Sequence, residues 1–577
     1  MRCRCAAAPS KRVRQRRIVD LAFLGYAALL GSTCMKRVAT ESSDPNETVL
    51  YAADRVRTLN PQQPVAEALL VRWGKVLEVG ARRDLASAHP AARVVELRGA
   101  TIVPGLADAH GHLASLGRSL SILSFVGASS AEQILEMAKN APPGSYEGEW
   151  LVGRGWNQNA WPEGHRDFPT RQQLDALFPS TPVYFTRVDG HAAWVNSEAL
   201  RRAGVDIRSP DPPGGRIVRD GKGEPSGVLV DNAMQLVSSK MPNPTDEQRE
   251  KRLRAALEKC VSVGLTAVHD AGTDLPTLML LHQWDSSGAL PLRVYAMADG
   301  QAGASQVFSE LGLIQGKLLT FRAVKFWLDG ALGSRGAALQ APYSDEPTQR
   351  GLLLIEPTEL QKRARDWMQR GYQVAVHAIG DRANTLALDI LSRAAAEAKV
   401  ENRRNRIEHA QILRAEDIPR FAQLGIIASM QPTHATSDMP WAERRVGRER
   451  IAGAYAWKSL LDAGARLAFG SDFPVEDSNP LLGLYAARTR QDAEGNPPGG
   501  WLPEQRLDGE QALRGFTTGA AYASFAEDVR GMLRPGMDAD FVALSVDPVD
   551  DPPRKLLTGK ALLTVVAGKV AYKDKSL

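Results

Sequence analysis

The feature that most constrains the fold is a series of short apolar strands that alternate with helical stretches. The strand candidates are "ATIVPGLADAHGH" (100–112), "GLTAVHDAG" (264–272), "PLRVYAMAD" (291–299), "FRAVKFWLDG" (321–330), "GYQVAVHAIGD" (371–381), "NRIEHAQ" (405–411), "LGIIASMQPTH" (424–434) and "ARLAFGSDFP" (465–474). Alternation of strands and helices is typical of parallel βα units. Eight such units in series close into a (β/α)₈ barrel, so the sequence predicts an α/β, TIM-like fold.

Polar side chains cluster where these strands end, which is the edge of a (β/α)₈ barrel at which chemistry takes place. They are His110, His112, His269, Lys325, Asp329, His377, His409, His434 and Asp472. His110 and His112 stand one residue apart, and residues i and i+2 of a strand share a face. Their two imidazoles can therefore point at one metal ion.

The length of the chain predicts more than one structural unit. At 577 residues it exceeds an ordinary single domain. Short β-like segments occur at both ends, and chain termini often lie close together. We therefore expect a small composite β-sandwich domain built from residues 47–103 and 521–577. The barrel is expected over 104–520, with an insertion at about 115–255 that follows the first barrel strand and overhangs the active-site mouth.

The first 34 residues have the pattern of an export signal. The basic run "KRVRQRR" precedes the short apolar stretch "IVDLAFLGYAALLGSTC". A membrane span needs about 20 apolar residues, so this segment is interpreted as a signal rather than a span. Cys34 resembles a lipoprotein cleavage site, although Gly31 stands where leucine is usual. We expect an exported protein, either periplasmic or held to the cell envelope by a lipid anchor; the alternative is an overlong gene start.

Charge, cysteine content and a missing motif argue against a nucleic-acid-binding protein, a disulfide-stabilised protein and an oxidoreductase. The net charge is +5, from 71 Lys and Arg against 66 Asp and Glu, and much of the excess lies in the N-terminal segment. The body of the chain is nearly balanced, which argues against nucleic-acid binding. Beyond Cys34 only Cys260 remains, so no internal disulfide framework is available. An oxidoreductase is disfavoured because no Gly-x-Gly-x-x-Gly turn joins a strand to a helix.

Each candidate ligand has a structural alternative when it is taken alone. His377 and His409 could be hydrogen-bonded interior histidines, and Asp472 could cap a helix. Lys325 is harder to explain, because an unpaired ammonium group inside a barrel is costly. Taken together, imidazoles and a carboxylate at the ends of several strands match the ligands of Zn²⁺, and Mn²⁺ and Fe²⁺ are the alternatives. The sequence thus predicts a site for one or two divalent metal ions.

Several motifs resemble those of a known enzyme family. They are "VPGLADAHGHL", "GRGWNQNAW", "RVDGHAAWVN", "GLTAVHDAG", "VKFWLDGALGSR", "VHAIGDRAN", "RIEHAQ", "QPTH", "GSDFPV" and "PGMDADFVAL". In this order they resemble the amidohydrolase superfamily, and specifically its YtcJ-like branch (amidohydrolase family 3), which includes N-substituted formamide deformylase. The resemblance runs from about residue 50 to the end and does not specify a substrate.

The resemblance implies a set of metal ligands. His110, His112 and Asp472 would bind one ion, while His377 and His409 would bind a second. Lys325 occupies the place of the carbamylated lysine that bridges the two ions in some members. Carbamylation would turn a costly buried ammonium group into an anionic ligand. An unmodified Lys325 beside a single ion is the alternative.

The expected chemistry is hydrolysis by metal-activated hydroxide. Asp472 accepts the proton of the attacking water and returns it to the leaving nitrogen. His434 binds substrate or stabilises the oxyanion, or else only orients a ligand. The remaining residues predicted to bind substrate are His269, Asp329, Arg335 and Trp156.

We therefore predict a hydrolase of carbon–nitrogen bonds other than peptide bonds, acting on a small amide or formamide. The alternatives are a metal-dependent esterase, lactonase or phosphotriesterase-like hydrolase, and a non-catalytic binding protein on the same fold. Loss of candidate ligands would mark the binding protein, and none of them is missing. A homodimer is the expected assembly.

Overall fold

The computed structural model describes residues 47–300, 305–401 and 403–577. The export signal predicted for residues 1–34, with Cys34, lies outside these ranges and stays a prediction. Within them no helix has both the length and the apolar character to cross a membrane.

The strands and α-helices of the described residues are numbered here in chain order. The strands are β1 (Val49–Arg57), β2 (Val65–Arg72), β3 (Lys75–Gly80), β4 (Arg93–Pro104), β5 (Leu106–Gly111), β6 (Leu123–Ser124), β7 (Tyr146–Glu147), β8 (Trp150–Trp156), β9 (Val183–Arg187), β10 (Ala192–Val195), β11 (Gly215–Arg219), β12 (Pro225–Asp231), β13 (Leu265–Thr273), β14 (Arg293–Asp299), β15 (Ile314–Gln315), β16 (Leu319–Trp327), β17 (Gln373–Ala378), β18 (Arg406–His409), β19 (Ile427–Met430), β20 (Leu467–Phe469), β21 (Phe541–Leu544), β22 (Ala561–Val566) and β23 (Lys569–Lys573). The helices are α1 (Arg82–Ala88), α2 (Leu113–Ser119), α3 (Ala131–Lys139), α4 (Arg171–Asp175), α5 (Ser197–Ala203), α6 (Met234–Ser238), α7 (Asp246–Ser262), α8 (Leu275–Ser287), α9 (Ser305–Leu311), α10 (Pro357–Gln369), α11 (Asp381–Ala398), α12 (Ile418–Leu424), α13 (Pro432–Asp438), α14 (Ala442–Arg450), α15 (Trp457–Asp462), α16 (Pro480–Thr489), α17 (Gly509–Arg514) and α18 (Ala520–Ala523).

Eight parallel strands form the predicted barrel. Their order is β5-β13-β14-β16-β17-β18-β19-β20, and the antiparallel β15 is added at β16. The barrel is nearly closed, because two hydrogen bonds join the segments that follow β20 and β5. The amide of Asp472 donates to the carbonyl of His110 at 2.7 Å, and that of His112 to the carbonyl of Phe473 at 2.9 Å. These bonds bring the candidate ligands of the first and last strands together.

Helices around the barrel bury one apolar side, as their sequence periodicity requires. In α11 the buried positions include Ala383, Ala387, Leu391 and Ala394, which recur at intervals of three or four residues. In α7 the same pattern buries Cys260, which is a free thiol in the core rather than a reactive surface group. Both helices pack their apolar sides against the barrel strands.

Strands from both ends of the chain share one mixed sheet of seven strands, in the order β23-β22-β21-β4-β1-β2-β3. Its parallel pair is β1 with β4, and β21 joins the C-terminal strands to β4 in antiparallel register. Asp540, beside β21, forms an ion pair with Arg293 at the start of β14, with 2.6 Å between Nε and Oδ2. This pair ties the terminal sheet to the barrel. The division into a composite sandwich and a barrel domain stays a prediction.

A second sheet is inserted between β5 and β13. Its order is β11-β12-β10-β9-β8-β6, with β7 paired to β8. Apolar side chains cover both of its faces. One cluster contains Phe125, Trp156 and Trp194, and the other contains Trp150 and Tyr184. This sheet forms one wall of the cavity described next.

Candidate metal centre

A cavity of about 880 Å³ opens at the C-terminal ends of the barrel strands. Barrel and insertion both line it. The barrel contributes the predicted set His110, His112, Lys325, His377, His409, His434 and Asp472. The insertion contributes, among others, Arg154, Arg187, Asp189 and His191. Every residue predicted as a metal ligand therefore faces one space.

Asp472 stands at the centre of this set. Its Oδ1 lies 2.9 Å from Nε2 of His112 and 3.6 Å from Nε2 of His110. The candidate ligand atoms of the three residues lie within 4.8 Å of one another. Asp472 has a φ of 60°, in the left-handed region that few residues other than glycine adopt. It does not cap a helix, because the next helix, α16, is capped by Asn479.

Glu408 fixes the orientation of the His110 ring. Nδ1 of His110 donates to Oε2 of Glu408 at 2.5 Å, which leaves the lone pair on Nε2, the atom that faces the cavity. Arg406 donates to the same Glu408 oxygen at 3.0 Å. All three side chains are fully buried. Burial and the nearby Lys325 lower the pKa of His110 to about 4, so its ring is neutral at neutral pH.

His409, His434 and Asp472 form a second cluster of candidate ligand atoms within 4.8 Å of one another. His409 also has a left-handed φ, of 74°. Its Nδ1 donates to Oε1 of Gln431 at 2.7 Å, so its Nε2 is free to act as a ligand. His434 reaches Oδ2 of Asp472 with Nε2, at 3.3 Å, and Oε1 of Glu476 with Nδ1, at 3.1 Å. The resemblance instead paired His409 with His377.

His377 and Lys325 lie beside these clusters rather than in them. The His377 ring packs 4.5 Å from that of His409, and its Nε2 lies 3.5 Å from Asp329 Oδ1. Nζ of Lys325 lies 3.3 Å from Nε2 of His110 and 4.9 Å from the Trp327 ring centre. Burial lowers the pKa of Lys325 to about 8, as expected for an ammonium group in a barrel interior.

The donors present fit a divalent metal ion. Nε2 of His377 is buried and makes no hydrogen bond to any described residue. Buried polar atoms are normally paired, so this nitrogen is poised for a further partner. Burial also lowers the pKa of His377 and of His409 well below the usual value, which keeps both rings neutral. Neutral imidazoles around one carboxylate are the ligand types of Zn²⁺ and similar ions.

The four residues predicted to bind substrate do not line this cavity. His269 accepts a hydrogen bond from Arg406 at 3.0 Å, inside the barrel. Asp329 accepts from the amides of Ala338, Ile379 and Gly380, and Arg335 pairs with Asp345 at 3.1 Å. Trp156 is buried in the insertion and donates to the carbonyl of Phe185 at 2.8 Å. Their positions give the substrate-binding role no support.

Residues outside the predicted ligand and substrate-binding sets complete the site. Glu408 and Arg406 lie in "RIEH", where alternation along a strand places both on the face opposite Ile407, so the signal was present. His191 faces the site from the insertion: its ring lies 5.2 Å from that of His377, and its Nδ1 contacts Asp231 at 2.6 Å. Arg154 also lines the cavity. Both lie in motifs that carry the family resemblance, "GRGWNQNAW" and "RVDGHAAWVN", but nothing local to these motifs places them beside the metal ligands.

A nearly closed (β/α)₈ barrel with imidazoles and a carboxylate at its C-terminal edge defines a metal-dependent hydrolase. Residues 93–572 match the family model described as "Amidohydrolase family". The chain belongs to this family, as its motifs predicted, and is a hydrolase acting on carbon–nitrogen bonds.

Individual relatives agree with the family assignment. YtcJ of Bacillus subtilis (strain 168) is 34% identical over 513 residues, which cover 88% of this chain and 96% of that protein. N-substituted formamide deformylase of Arthrobacter pascens is 28% identical over 540 residues, covering 90% and 97%. An uncharacterized metal-dependent hydrolase from Pyrococcus horikoshii OT3, known as a crystal structure, is 28% identical with a TM-score of 0.69, covering 87% and 99%.

Proposed function

We propose that this protein hydrolyses a small amide or N-substituted formamide at a divalent metal centre built around Asp472. The observation that carries this proposal is the position of the Asp472 carboxylate between two groups of histidines, with 2.9 Å to His112 and 3.3 Å to His434. The likeness to N-substituted formamide deformylase along most of the chain supports an amide-type substrate.

The residues that would hold the metal are His110, His112, His409 and Asp472, with His377 at the edge of the set. Lys325 would join them as a carbamate, because its ammonium group is fully buried beside His110 and a carbamate would be an anionic ligand there. When bound, the metal supplies Lewis-acid activation of water and of the scissile carbonyl. We propose Zn²⁺ as this ion.

Asp472 and His434 have different roles in the proposed reaction. Burial raises the pKa of Asp472, but the contacts with His112 and His434 outweigh it and hold the pKa well below the usual value. Asp472 is thus ionised and can accept the proton of the attacking water, then return it to the leaving amine. Burial lowers the pKa of His434, but Asp472 and Glu476 outweigh it and raise the pKa to about 10. The His434 cation can stabilise the developing oxyanion.

The first experiment is elemental analysis of protein purified without chelator, for the wild type and for Lys325→Ala. We expect about two equivalents of Zn or a similar ion in the wild type and one or fewer in the variant, because loss of a bridging ligand weakens both positions. One equivalent that the substitution leaves unchanged would show a mononuclear site without a bridge. Absence of metal even after reconstitution would overturn the proposal.

The second experiment measures formate and amine release from N-substituted formamides, beside matched esters. Asp472→Asn should reduce kcat by at least about a hundredfold, since proton transfer alone contributes roughly 10²–10⁴-fold. Asp477→Asn is the matched control, because Asp477 is exposed in the same loop and, among the described residues, its side chain accepts a hydrogen bond only from the amide of Asn479. If the protein hydrolyses only the esters, it is an esterase and not an amidase.

A further inference from the structure

Arg154 places a guanidinium group in the wall of the cavity that contains the candidate metal ligands. It lies in β8 of the inserted sheet, and both it and Asp472 line the cavity. Its Nη2 donates to the carbonyl of Val188 at 2.7 Å, which anchors the group from one side. Gly190 lies near the same group, since a Cβ at that position would be 3.6 Å from Nη1. A glycine there leaves Nη1 without a side-chain contact from this position.

Arg154 differs from its cationic neighbours in having no carboxylate partner among the described residues. Arg118 and Arg252 both bind Glu147, at 2.7 and 2.9 Å, and Arg187 pairs with Asp189. Among the described residues, the Arg154 side chain donates a hydrogen bond only to Val188, and its Nε is buried without a partner. Arg154 is half-buried in the cavity wall, where a guanidinium without a directly paired anion is costly. This arrangement is expected where the compensating anion belongs to a ligand.

The charges around Arg154 favour a monoanion over a phosphate dianion. The N–H groups of Nη1 and the second N–H of Nη2 remain for a ligand, and they match one carboxylate. Arg118 and Arg252 are already held by Glu147, and the negative charges of Asp472 and Asp189 act on Arg154. A second negative charge on the ligand would therefore find no further free cation among these neighbours and would face both aspartates.

We propose that Arg154 binds a carboxylate on the part of the substrate that does not react, so that the enzyme hydrolyses amides that carry a carboxylate. This inference rests on the proposed function, because it names the substrate class of the same site. The metal centre and Arg154 lie in one cavity, so a single extended molecule can present its amide to the first and its carboxylate to the second. Arg154 is thus a specificity-determining residue that the barrel itself does not supply.

The test compares two series of substrates that differ only in charge. N-formylglycine, N-formyl-β-alanine, N-formyl-4-aminobutyrate and N-formyl-6-aminohexanoate present a carboxylate at increasing distance, and their N-methylamides are the neutral counterparts. Formate release gives kcat and KM for the wild type, Arg154→Gln and Arg154→Lys. Gln can still donate to Val188 without carrying charge. Arg208→Gln is the control, because Arg208 is an exposed arginine of the same insertion.

We expect the wild type to prefer the carboxylate series at one chain length. Arg154→Gln should lower kcat/KM for that substrate by at least about 30-fold, since truncating one partner of a buried charge pair costs roughly that much. The neutral series should change by less than about threefold, Arg154→Lys should recover part of the loss, and Arg208→Gln should behave as the wild type. Hydrolysis of both series with equal kcat/KM, lowered equally by Arg154→Gln, would overturn the inference while the proposed function stands.

A binding measurement separates the two proposals if the wild type hydrolyses no formamide. Isothermal titration with hexanoate and with hexanamide needs no turnover. The carboxylate site is supported if hexanoate binds the wild type at least about tenfold more tightly than it binds Arg154→Gln, while the affinity for hexanamide is the same for both proteins. Equal binding of hexanoate to both proteins would place the carboxylate elsewhere, including on the metal, and would overturn it. Circular dichroism and thermal unfolding of each variant confirm that the fold is retained.

Discussion

Replacing Glu408 by glutamine removes the carboxylate that joins His110 to Arg406 and keeps the size of the side chain. The His110 hydrogen bond of 2.5 Å and the Arg406 hydrogen bond of 3.0 Å both end on Oε2 of Glu408. The ion pair is fully buried, so the substitution leaves the Arg406 cation in the barrel without its counter-charge. Breaking a buried pair from one side costs about 3–5 kcal/mol of unfolding free energy.

The same substitution should weaken metal binding. Glu408 makes the His110 ring a stronger ligand and holds its Nε2 toward the cavity, and loss of such a partner typically costs 10- to 100-fold in metal affinity. That range corresponds to about 1.4–2.7 kcal/mol. The two effects have different origins, the first in Arg406 and the second in His110, and can be measured separately.

The assay is a zinc titration of chelator-treated protein against a competing chelator, together with urea unfolding followed by circular dichroism. The double variant Arg406→Met with Glu408→Gln removes both charges. It should recover part of the unfolding free energy but not the zinc affinity. Glu198→Gln is the control, because Glu198 pairs with Arg201 and Arg202 on the surface, away from the cavity. A Glu408→Gln variant whose zinc Kd stays within about twofold of the wild type would refute the orienting role of Glu408.

Two further substitutions test the framework of the site and its link to the terminal sheet. In Gly470→Ala the new Cβ would lie 2.4 Å from Asp108 Oδ1 and 2.5 Å from the amide nitrogen of His110. We therefore expect the unfolding free energy, measured in urea, to fall by about 1–3 kcal/mol, and elemental analysis to find less bound metal. Gly221→Ala is the control and should change neither quantity, because a Cβ at Gly221 would lie in open space. Burial raises the pKa of Asp540, but the interaction with Arg293 is stronger and lowers the pKa below the usual value. The ion pair therefore stabilises the fold above about pH 4, and this stabilisation is lost as the pH falls through the pKa of Asp540 in the folded protein. Asp540→Asn should therefore lower the unfolding free energy at pH 7 by about 3–5 kcal/mol. In urea titrations below about pH 4, the unfolding free energies of the variant and the wild type should become more similar. A difference in unfolding free energy that does not depend on pH would contradict this explanation.

The sequence by itself determined the barrel and most of the candidate ligands, because both depend on local properties. Apolar periodicity identifies a strand, and a polar residue at its end identifies the edge of the barrel where chemistry occurs. His110, His112, Lys325, His409 and Asp472 could be found in this way, and the structure brings all of them to one cavity. The same strand alternation in "RIEH" would have identified Arg406 and Glu408 as residues on the ligand side of the strand.

Only the tertiary structure decided which of these side chains meet. His409 clusters with His434 and Asp472, whereas the resemblance paired it with His377, because α13 begins directly after β19 and returns His434 toward the end of β20. The substrate-binding role of Asp329, Arg335 and Trp156 stays a prediction. In the structure Asp329 accepts from backbone amides, Arg335 pairs with Asp345, and Trp156 donates to a backbone carbonyl. Arg154 reaches the cavity from an inserted sheet whose position is not encoded in any local pattern. Contacts between residues far apart in the chain depend on how elements pack, and a single sequence contains no local signal for that.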